Sequence, residues 1–208
     1  MNLRRLVLSA ALVAVLTPLA TMSGAAGRER QATTLAKAVF AAGCFWCMES
    51  PFDELDGVVS TTSGYTAGRV ANPTYEQVSG GGTGHTEALE VEYDPKRVSY
   101  DKLLEVFWRN VDAVDGGGQF CDRGSQYRPG IYYQSDEQKQ QAERSKAQIA
   151  ERLRQPIAVE IEKGGAFYKA EEYHQDYYKK NPARYKFYKW NCGRAQRLEK
   201  LWGKPPTQ

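Results

Sequence analysis

Lys37-Ala38-Val39-Phe40-Ala41-Ala42-Gly43-Cys44-Phe45-Trp46-Cys47-Met48-Glu49-Ser50-Pro51-Phe52-Asp53-Glu54-Leu55 changes character twice along its length. Lys37 to Ala42 is an apolar run that reads as a short strand, and Met48 to Leu55 reads as the helix that follows it. The turn between them, Gly43-Cys44-Phe45-Trp46-Cys47, spaces two thiols as C-x-x-C, a redox spacing. Large aromatics fill the interval, which suits a cysteine that receives a small apolar substrate better than one built only to exchange disulfides. A helix N-terminus favours a thiolate through its unpaired N–H groups and dipole. Cys44 is therefore expected to have a lowered pKa. Cys47, one turn on, is placed to form a disulfide with Cys44 once that residue is oxidised.

Working outward, Val58 to Tyr65 is rich in Val, Thr and Ser and reads as a second strand. A loop with Gly, Asn and Pro then runs to about Gly84. Ala88 to Tyr93 alternates apolar and acidic residues, as a half-buried strand does. Ser99 is placed to cap a helix that carries Leu103, Leu104, Phe107 and Trp108 on one face. Gly130 to Tyr133 reads as a strand, and Asp136 to about Arg154 as a helix opened by a Ser135–Gln138 capping box. Ile157 to Glu162 alternates again, and a Tyr-rich helical stretch begins near Glu171. Strands interleaved with helices, without repeats or an internal linker, predict an α/β (α+β) fold.

The first residues read differently. Arg4 and Arg5 precede an uninterrupted run of apolar and small residues from Leu6 to Leu16, Pro18 breaks it, and Gly24-Ala25-Ala26 offers a small-residue cleavage site. This predicts a secretory signal peptide over residues 1–26. The run is short for a bilayer span, which needs about 20 residues. A twin-arginine signal fits the residues around Arg4-Arg5 poorly. The expected mature part, 27–208, is a single domain whose formal charge is +1 rather than the whole chain's +3. Such a balance gives no reason to expect nucleic-acid or membrane binding. Thirteen tyrosines and four tryptophans are compatible with an aromatic-lined cleft.

All four cysteines, 44, 47, 121 and 192, lie in that mature part. In an exported protein an even count first suggests structural disulfides. A domain of this size hardly needs them, however, and a C-x-x-C loop restrains little unfolded-chain entropy. Cys44 and Cys47 are thus read as redox-active. Zinc would need a second ligand pair at compatible spacing, and Cys121 and Cys192 stand far apart in sequence, so no metal is expected. Gly80-Gly81-Gly82 and Gly116-Gly117-Gly118 lack the strand–loop–helix context of a nucleotide fingerprint, and no cofactor is expected.

Further motifs recur in order along the chain. They are Ser63-Gly64-Tyr65, Asn72-Pro73-Thr74-Tyr75-Glu76-Gln77-Val78, Thr83-Gly84-His85-Thr86-Glu87-Ala88, Gln119 through Arg128, and Ala170-Glu171-Glu172-Tyr173-His174-Gln175. With Gly43-Cys44-Phe45-Trp46 they resemble the peptide methionine sulfoxide reductase A family over about residues 37–202. The resemblance implies a two-layer α/β sandwich with a mixed sheet, helices flanking it and a long irregular C-terminal segment wrapped toward the site. It implies reduction of the S epimer of methionine sulfoxide, free or in proteins. The family's nucleophile falls on Cys44, which becomes a sulfenic acid, and its acid on Glu87. Its oxygen-binding tyrosines fall on Tyr75 and Tyr127, the acidic member of that cluster on Asp122, and the wall for the S-methyl group on Phe45 and Trp46. Those roles are chemically sensible: a carboxyl in a dry aromatic pocket keeps its proton, and phenolic hydroxyls donate to a developing oxyanion without carrying charge. Without the resemblance, the two tyrosines and Glu87 would pass for ordinary turn, core and strand-end residues.

Many members of that family have Gly where this chain has Cys47, and resolve the nucleophile with a thiol near the C-terminus. Asn191-Cys192-Gly193-Arg194 resembles such a segment, and Cys121 adjoins Asp122. Cys47 is expected to resolve Cys44 first, with Cys192, and Cys121 beside it, relaying the disulfide outward. The resemblance further implies a thioredoxin-like donor; the leader predicts an exported and periplasmic protein, and a monomer is the default for a site of this kind. His85 and His174 read as structural, Glu49 as support for its helix N-terminus, and the lysines at 179–189 as a solvated face. Two other readings explain less. A thioredoxin-like thiol–disulfide exchanger leaves the Tyr75, Glu87 and Asp122–Tyr127 motifs unused. A secreted binding domain with two structural disulfides leaves the C-x-x-C aromatics unused.

Overall fold

The computed structural model describes residues 34–204; the expected leader at 1–26 lies outside them. β1 (Ala36–Ala41) is interior to a sheet and pairs on both sides. Its alternation sends Ala38 and Phe40 into the main core, and Val39 and Ala41 into a smaller cluster with Ala88 and Tyr132 on the other face. α1 (Trp46–Asp53) follows at once, then β2 (Val58–Thr66), α2 (Tyr75–Ser79), β3 (Thr86–Tyr93) and α3 (Tyr100–Arg109). β4 (Gly118–Gln119) and β5 (Asp122–Arg123) form a separate hairpin whose turn is Phe120-Cys121. β6 (Gly130–Tyr133), α4 (Asp136–Leu153), β7 (Glu160–Lys163) and β8 (Tyr168–Lys169) complete the sheet. α5 (Tyr177–Lys180), α6 (Pro182–Asn191) and α7 (Arg194–Trp202) end the described chain.

The six strands run in the order β7-β6-β1-β3-β2-β8. β6 and β7 are parallel and the other neighbours antiparallel, so the sheet is mixed. Met48 and Phe52 of α1, Leu103, Leu104 and Phe107 of α3, Ala142 of α4 and Trp202 of α7 pack on the Phe40 face. Phe107 lies 5.2 Å from Phe40, ring to ring, and both are fully buried. Burying one such ring contributes about 1.5–3 kcal/mol, and this helical layer is what holds β1, and hence the turn after it, in place. Ser99 caps α3 as expected, accepting from the Lys102 amide at 3.2 Å.

Several expectations shift. The loop before Gly84 contains α2, opened by a full Thr74–Gln77 capping box. The strand expected from Ile157 starts at Glu160, because Ala158 instead donates to the Ala113 carbonyl outside the sheet. The helix expected near Glu171 begins at Tyr177, because residues 170–175 dock on β2: Ala170 donates to the Ser63 carbonyl, and the Gln175 amide bonds both backbone groups of Ser63. Gln138 completes only half a capping box; Ser135 accepts its amide, while its side chain spans Gln134 and the Lys37 carbonyl. The C-terminal segment is mostly helical rather than irregular. Lys179 is exposed, as expected of that face, and there it pairs with Asp53 at 2.9 Å and Asp176 at 2.7 Å.

Candidate active site

The chain leaves β1 through Gly43, whose φ of +76° is open to glycine at little cost. A Cβ there would stand 2.5 Å from Gln119 Cβ. Gln119 is itself buried and bolted in place: its Oε1 accepts from the Asp112 amide, and its Nε2 donates to the carbonyls of Asp112, Asp115 and Gly118. This close fit sets the angle at which Cys44 enters the molecule.

Cys44, Phe45, Trp46, Tyr75, Glu87, Asp122, Tyr127 and Tyr188 enclose a cavity of about 100 Å³. Every nucleophile, acid, hydroxyl and aromatic-wall residue singled out from the sequence is in that set, drawn from the turn between β1 and α1, from α1, α2, β3 and β5, and from the turn after β5. Tyr188 of α6 is an addition. Glu87 lies almost wholly buried beside Tyr65 of β2, and accepts from the Phe45 amide at 3.1 Å. Burial raises its pKa to about 8, the Phe45 N–H opposes the rise, and Asp122 adds to it. Glu87 is thus a proton donor near neutral pH. Thr86, beside it, donates to the Gln126 and Arg128 carbonyls, tying β3 to the turn that carries Tyr127.

Burial, with Glu87 next, pushes the Tyr75 hydroxyl up to about 12, and Tyr127 is raised for the same reasons. Both therefore remain hydrogen-bond donors at working pH. Asp122 accepts from the Tyr188 hydroxyl; burial raises its pKa while that hydrogen bond and Arg194 oppose the rise. Sequence reasoning passed over Tyr188 because it sits among lysines on a helix. It also missed Glu171, which accepts from the Tyr75 amide and from the Tyr65 hydroxyl, each at 2.8 Å.

Cys44 differs from expectation. α1 begins only at Trp46, with Phe45 as its N-cap residue, so the thiol stands outside the first turn. Burial, then the hydrogen bond to Cys47, then the Glu87 charge push its pKa well up. The acidified thiol of the pair is Cys47, lowered to about 7 first by its hydrogen bond with Cys44, against burial, and helped by Arg194 and Lys189.

Cys121 and Cys192, far apart in sequence, form a disulfide, while Cys44 and Cys47 are both free and buried. Cys121 sits exposed at the hairpin turn, and Cys192 ends α6. Arg194 braces the junction: it is buried, its guanidinium stacks 4.2 Å from the Phe120 ring, and it donates to the Asn110 carbonyl. Once reduced, Cys121, Cys192 and Asp122 would form a cluster with metal-ligand chemistry, but as bonded cysteines they offer no thiolates.

His174 packs behind the aromatic wall, against Phe45 and Trp46. Its Nδ1 accepts from Trp46 Nε1 at 3.0 Å, its ring is packed by Phe45, Tyr75 and Tyr173, and burial holds its pKa low. His85 is distant from this work, accepting from the Gly68 amide and bonding the Val70 carbonyl across a turn. Neither histidine lines the cavity around Cys44.

A buried thiol facing a protonated carboxyl and two phenols, with a second thiol one turn away, defines a cysteine-based oxidoreductase acting on a small polar oxygen attached to an apolar group. The comparisons agree with that class. Residues 36–206 match the family model for peptide methionine sulfoxide reductase. Peptide methionine sulfoxide reductase MsrA of Listeria innocua is 50% identical over 171 residues, 81% of this chain and 97% of the relative. The MsrA of Bacillus subtilis is 51% identical over 168 residues, 80% of this chain and 95% of the relative. Among solved structures, reduced Mxr1 from Saccharomyces cerevisiae superposes with a TM-score of 0.69 at 34% identity, covering 72% of this chain and 87% of Mxr1. Methionine sulfoxide reductase A of Corynebacterium diphtheriae gives 0.64 at 34%, covering 71% and 76%. The chain belongs to the peptide methionine sulfoxide reductase family.

Proposed function

We propose that this enzyme reduces the S epimer of methionine sulfoxide, free or within proteins, through Cys44. The observation that carries the reading is the convergence of Cys44, Glu87, Tyr75 and Tyr127 on one small cavity walled by Phe45 and Trp46. The substrate's S-methyl group lies against the aromatic wall and its oxygen among the two phenols and Glu87. The Cys44 sulfur attacks the sulfoxide sulfur while Glu87 gives its proton to the oxygen, which is too poor a leaving group to depart as oxide. The thiol proton returns to Glu87; the hydroxyl so formed then passes from the substrate sulfur to the Cys44 sulfur as the new S–S bond breaks, its electron pair staying with the methionine sulfur, so that methionine leaves and Cys44 is left as a sulfenic acid.

Cys47 resolves it. Its sulfur attacks the sulfenic sulfur, with Arg194 and Lys189 favouring the thiolate; the hydroxyl leaves with the Cys47 proton as water, and a Cys44–Cys47 disulfide forms. A thioredoxin-like dithiol then returns two electrons, with Cys121–Cys192 as the outward relay. This relay is favoured by the placement of Cys121 beside Asp122, a cavity residue, and at the surface. The chain acts as a monomer, with 1–26 as its secretory signal peptide and 27–208 as the catalytic domain exported to the periplasm. Support for the leader is confined to its sequence, and N-terminal sequencing of the mature protein tests it.

The deciding experiment is dithiothreitol-driven turnover of the separated S and R epimers of a blocked methionine sulfoxide, with Cys44→Ser alongside. Turnover of the S epimer alone, lost in the variant, is expected. Insulin-disulfide reduction without sulfoxide turnover would instead make this chain a thiol–disulfide exchanger.

A further inference from the structure

Trp46 and Glu49 lie three residues apart on α1 and so share one helix face. Both engage the same stretch of chain. The Trp46 indole bonds His174 and stacks flat on Tyr177, ring centroids 3.7 Å apart and planes 5° from parallel. One turn below, the Glu49 carboxylate accepts from the Asp176 amide at 3.1 Å, the Tyr177 amide at 3.2 Å and the Ser63 hydroxyl at 2.9 Å. Asp176 holds a left-handed conformation, φ 53°. A non-glycine residue persists there only where its surroundings over-determine it.

Glu49 is 1% exposed, and burying a carboxylate is expensive unless its oxygens are occupied. Three donors aimed at it from β2 and from the 176–177 turn provide that occupation. As an element of helix N-terminus support, the carboxylate would instead face the first-turn amides of α1. Among the described contacts it takes none of them; its donors all come from elsewhere in the fold.

We propose that Glu49 is a positioning residue for substrate binding: it clamps the 176–177 turn so that the Tyr177 ring backs Trp46 and fixes the wall that receives the sulfoxide's methyl group. This deepens the function proposed above and rests on its assignment of Trp46. The clamp predicts that loss of Glu49 appears mainly in KM, because a loosened wall weakens binding while Cys44 and Glu87 stay in place.

The test measures KM and kcat for the blocked S-sulfoxide, with dithiothreitol, in Glu49→Ala, Glu49→Gln, Tyr177→Leu and the double variant Glu49→Ala/Tyr177→Leu. Glu49→Ala is expected to raise KM about fivefold to tenfold with kcat within about twofold, and Glu49→Gln, which keeps one acceptor oxygen, to lie between it and wild type. If Glu49 acts through Tyr177, the double variant will be no worse than the poorer single variant. Multiplying effects in the double variant, or an unchanged KM in Glu49→Gln together with an unchanged KM in Tyr177→Leu, would overturn the clamp; the second pair decides even where Glu49→Ala does not fold. Absence of wild-type turnover would instead count against the catalytic reading itself, and the two failures are thereby kept apart.

Discussion

Cys44 and Cys47 sit one helical turn apart, buried, reduced, and fixed to the central strand and to a helix that packs on the main core. Cys121 and Cys192 are separated by 71 residues, bonded to each other, and placed at a surface hairpin turn and a helix end. The first pair is held by rigid structure that would be the same without any disulfide. The second joins two parts of the chain that also meet through Tyr188 on Asp122, Arg194 on Phe120 and Arg197 on Asp112, and it restrains a long loop as well as storing electrons. Chemistry on a substrate needs the first kind of placement, since a nucleophile must meet its acid and its substrate at fixed distance. Exchange with another protein's thiols needs the second, since the partner's sulfur must reach it.

The largest expected break in that comparison is at Cys44. Cys44→Ser should lower sulfoxide turnover at least about a thousandfold without changing the unfolding midpoint much, because the core cluster built on Phe40, Met48 and Phe52 does not depend on the sulfur. Cys121→Ser should do the opposite. If dithiothreitol-driven turnover fell as far in Cys121→Ser as in Cys44→Ser, the division of labour between the pairs would be wrong.

Glu87→Gln comes next, with a loss of about 10²–10³ in the single-turnover rate of sulfoxide reduction. The pH dependence follows from its raised pKa. The acid form is present below about 8 and is lost as pH rises through that value, so the wild-type rate should fall on the alkaline side and the variant's should not. The same shift bears on stability. Between about 4.5 and 8 the folded state keeps a proton on Glu87 that the unfolded chain has released. Stability therefore declines as pH rises through that window. Glu49, raised to about 7 chiefly by burial, acts in the same sense over a narrower range. Denaturation midpoints at pH 5 and pH 8.5 should differ less in Glu87→Gln than in wild type.

Gly43 separates what the sequence made legible from what it did not. Its place after an apolar strand marks a turn, and the C-x-x-C beyond it marks redox chemistry; both are local patterns. That Gln119 fills the space beside Gly43 is a contact between distant segments, and no spacing announces it. The same holds for Tyr188 on Asp122, for Glu171 on the Tyr75 amide, and for the Cys121–Cys192 bond. α2 is the contrary case: Thr74 and Gln77 stand in the chain as a capping pattern, masked by the Gly/Asn/Pro content around it. Local propensity also misplaced the Cys44 pKa, since a thiol near a helix start is acidified only if it faces the amides and keeps water. Here burial outweighs both. Gly43→Ala, which forces a side chain against Gln119 and strains a left-handed residue, should cost about 1–3 kcal/mol of stability and reduce turnover by moving Cys44. Unchanged turnover in the folded variant would show that the turn does not set the thiol's position.

The smallest effect on chemistry, and the sharpest on the comparison, is expected at the surface pair. Closing a loop of 71 residues removes unfolded-chain entropy worth about 4 kcal/mol in the simplest treatment, and measured disulfides give about 2–4 kcal/mol. Cys192→Ser and Cys121→Ser should each lower stability by that amount while dithiothreitol, which is small enough to reach Cys44–Cys47, still drives near-normal turnover. With a thioredoxin-like protein as donor, the same variants should lose most of their turnover, because the donor's cysteine meets Cys121 at the surface and the buried pair only through it. Cys47→Ser separates the remaining alternatives. If it retains full recycling by the protein donor, then Cys192 or Cys121 reaches the sulfenic acid directly, and α6 must move Tyr188 off Asp122 to let it do so. If recycling is lost while a single methionine is still released per enzyme, the buried pair forms first and the surface pair serves it.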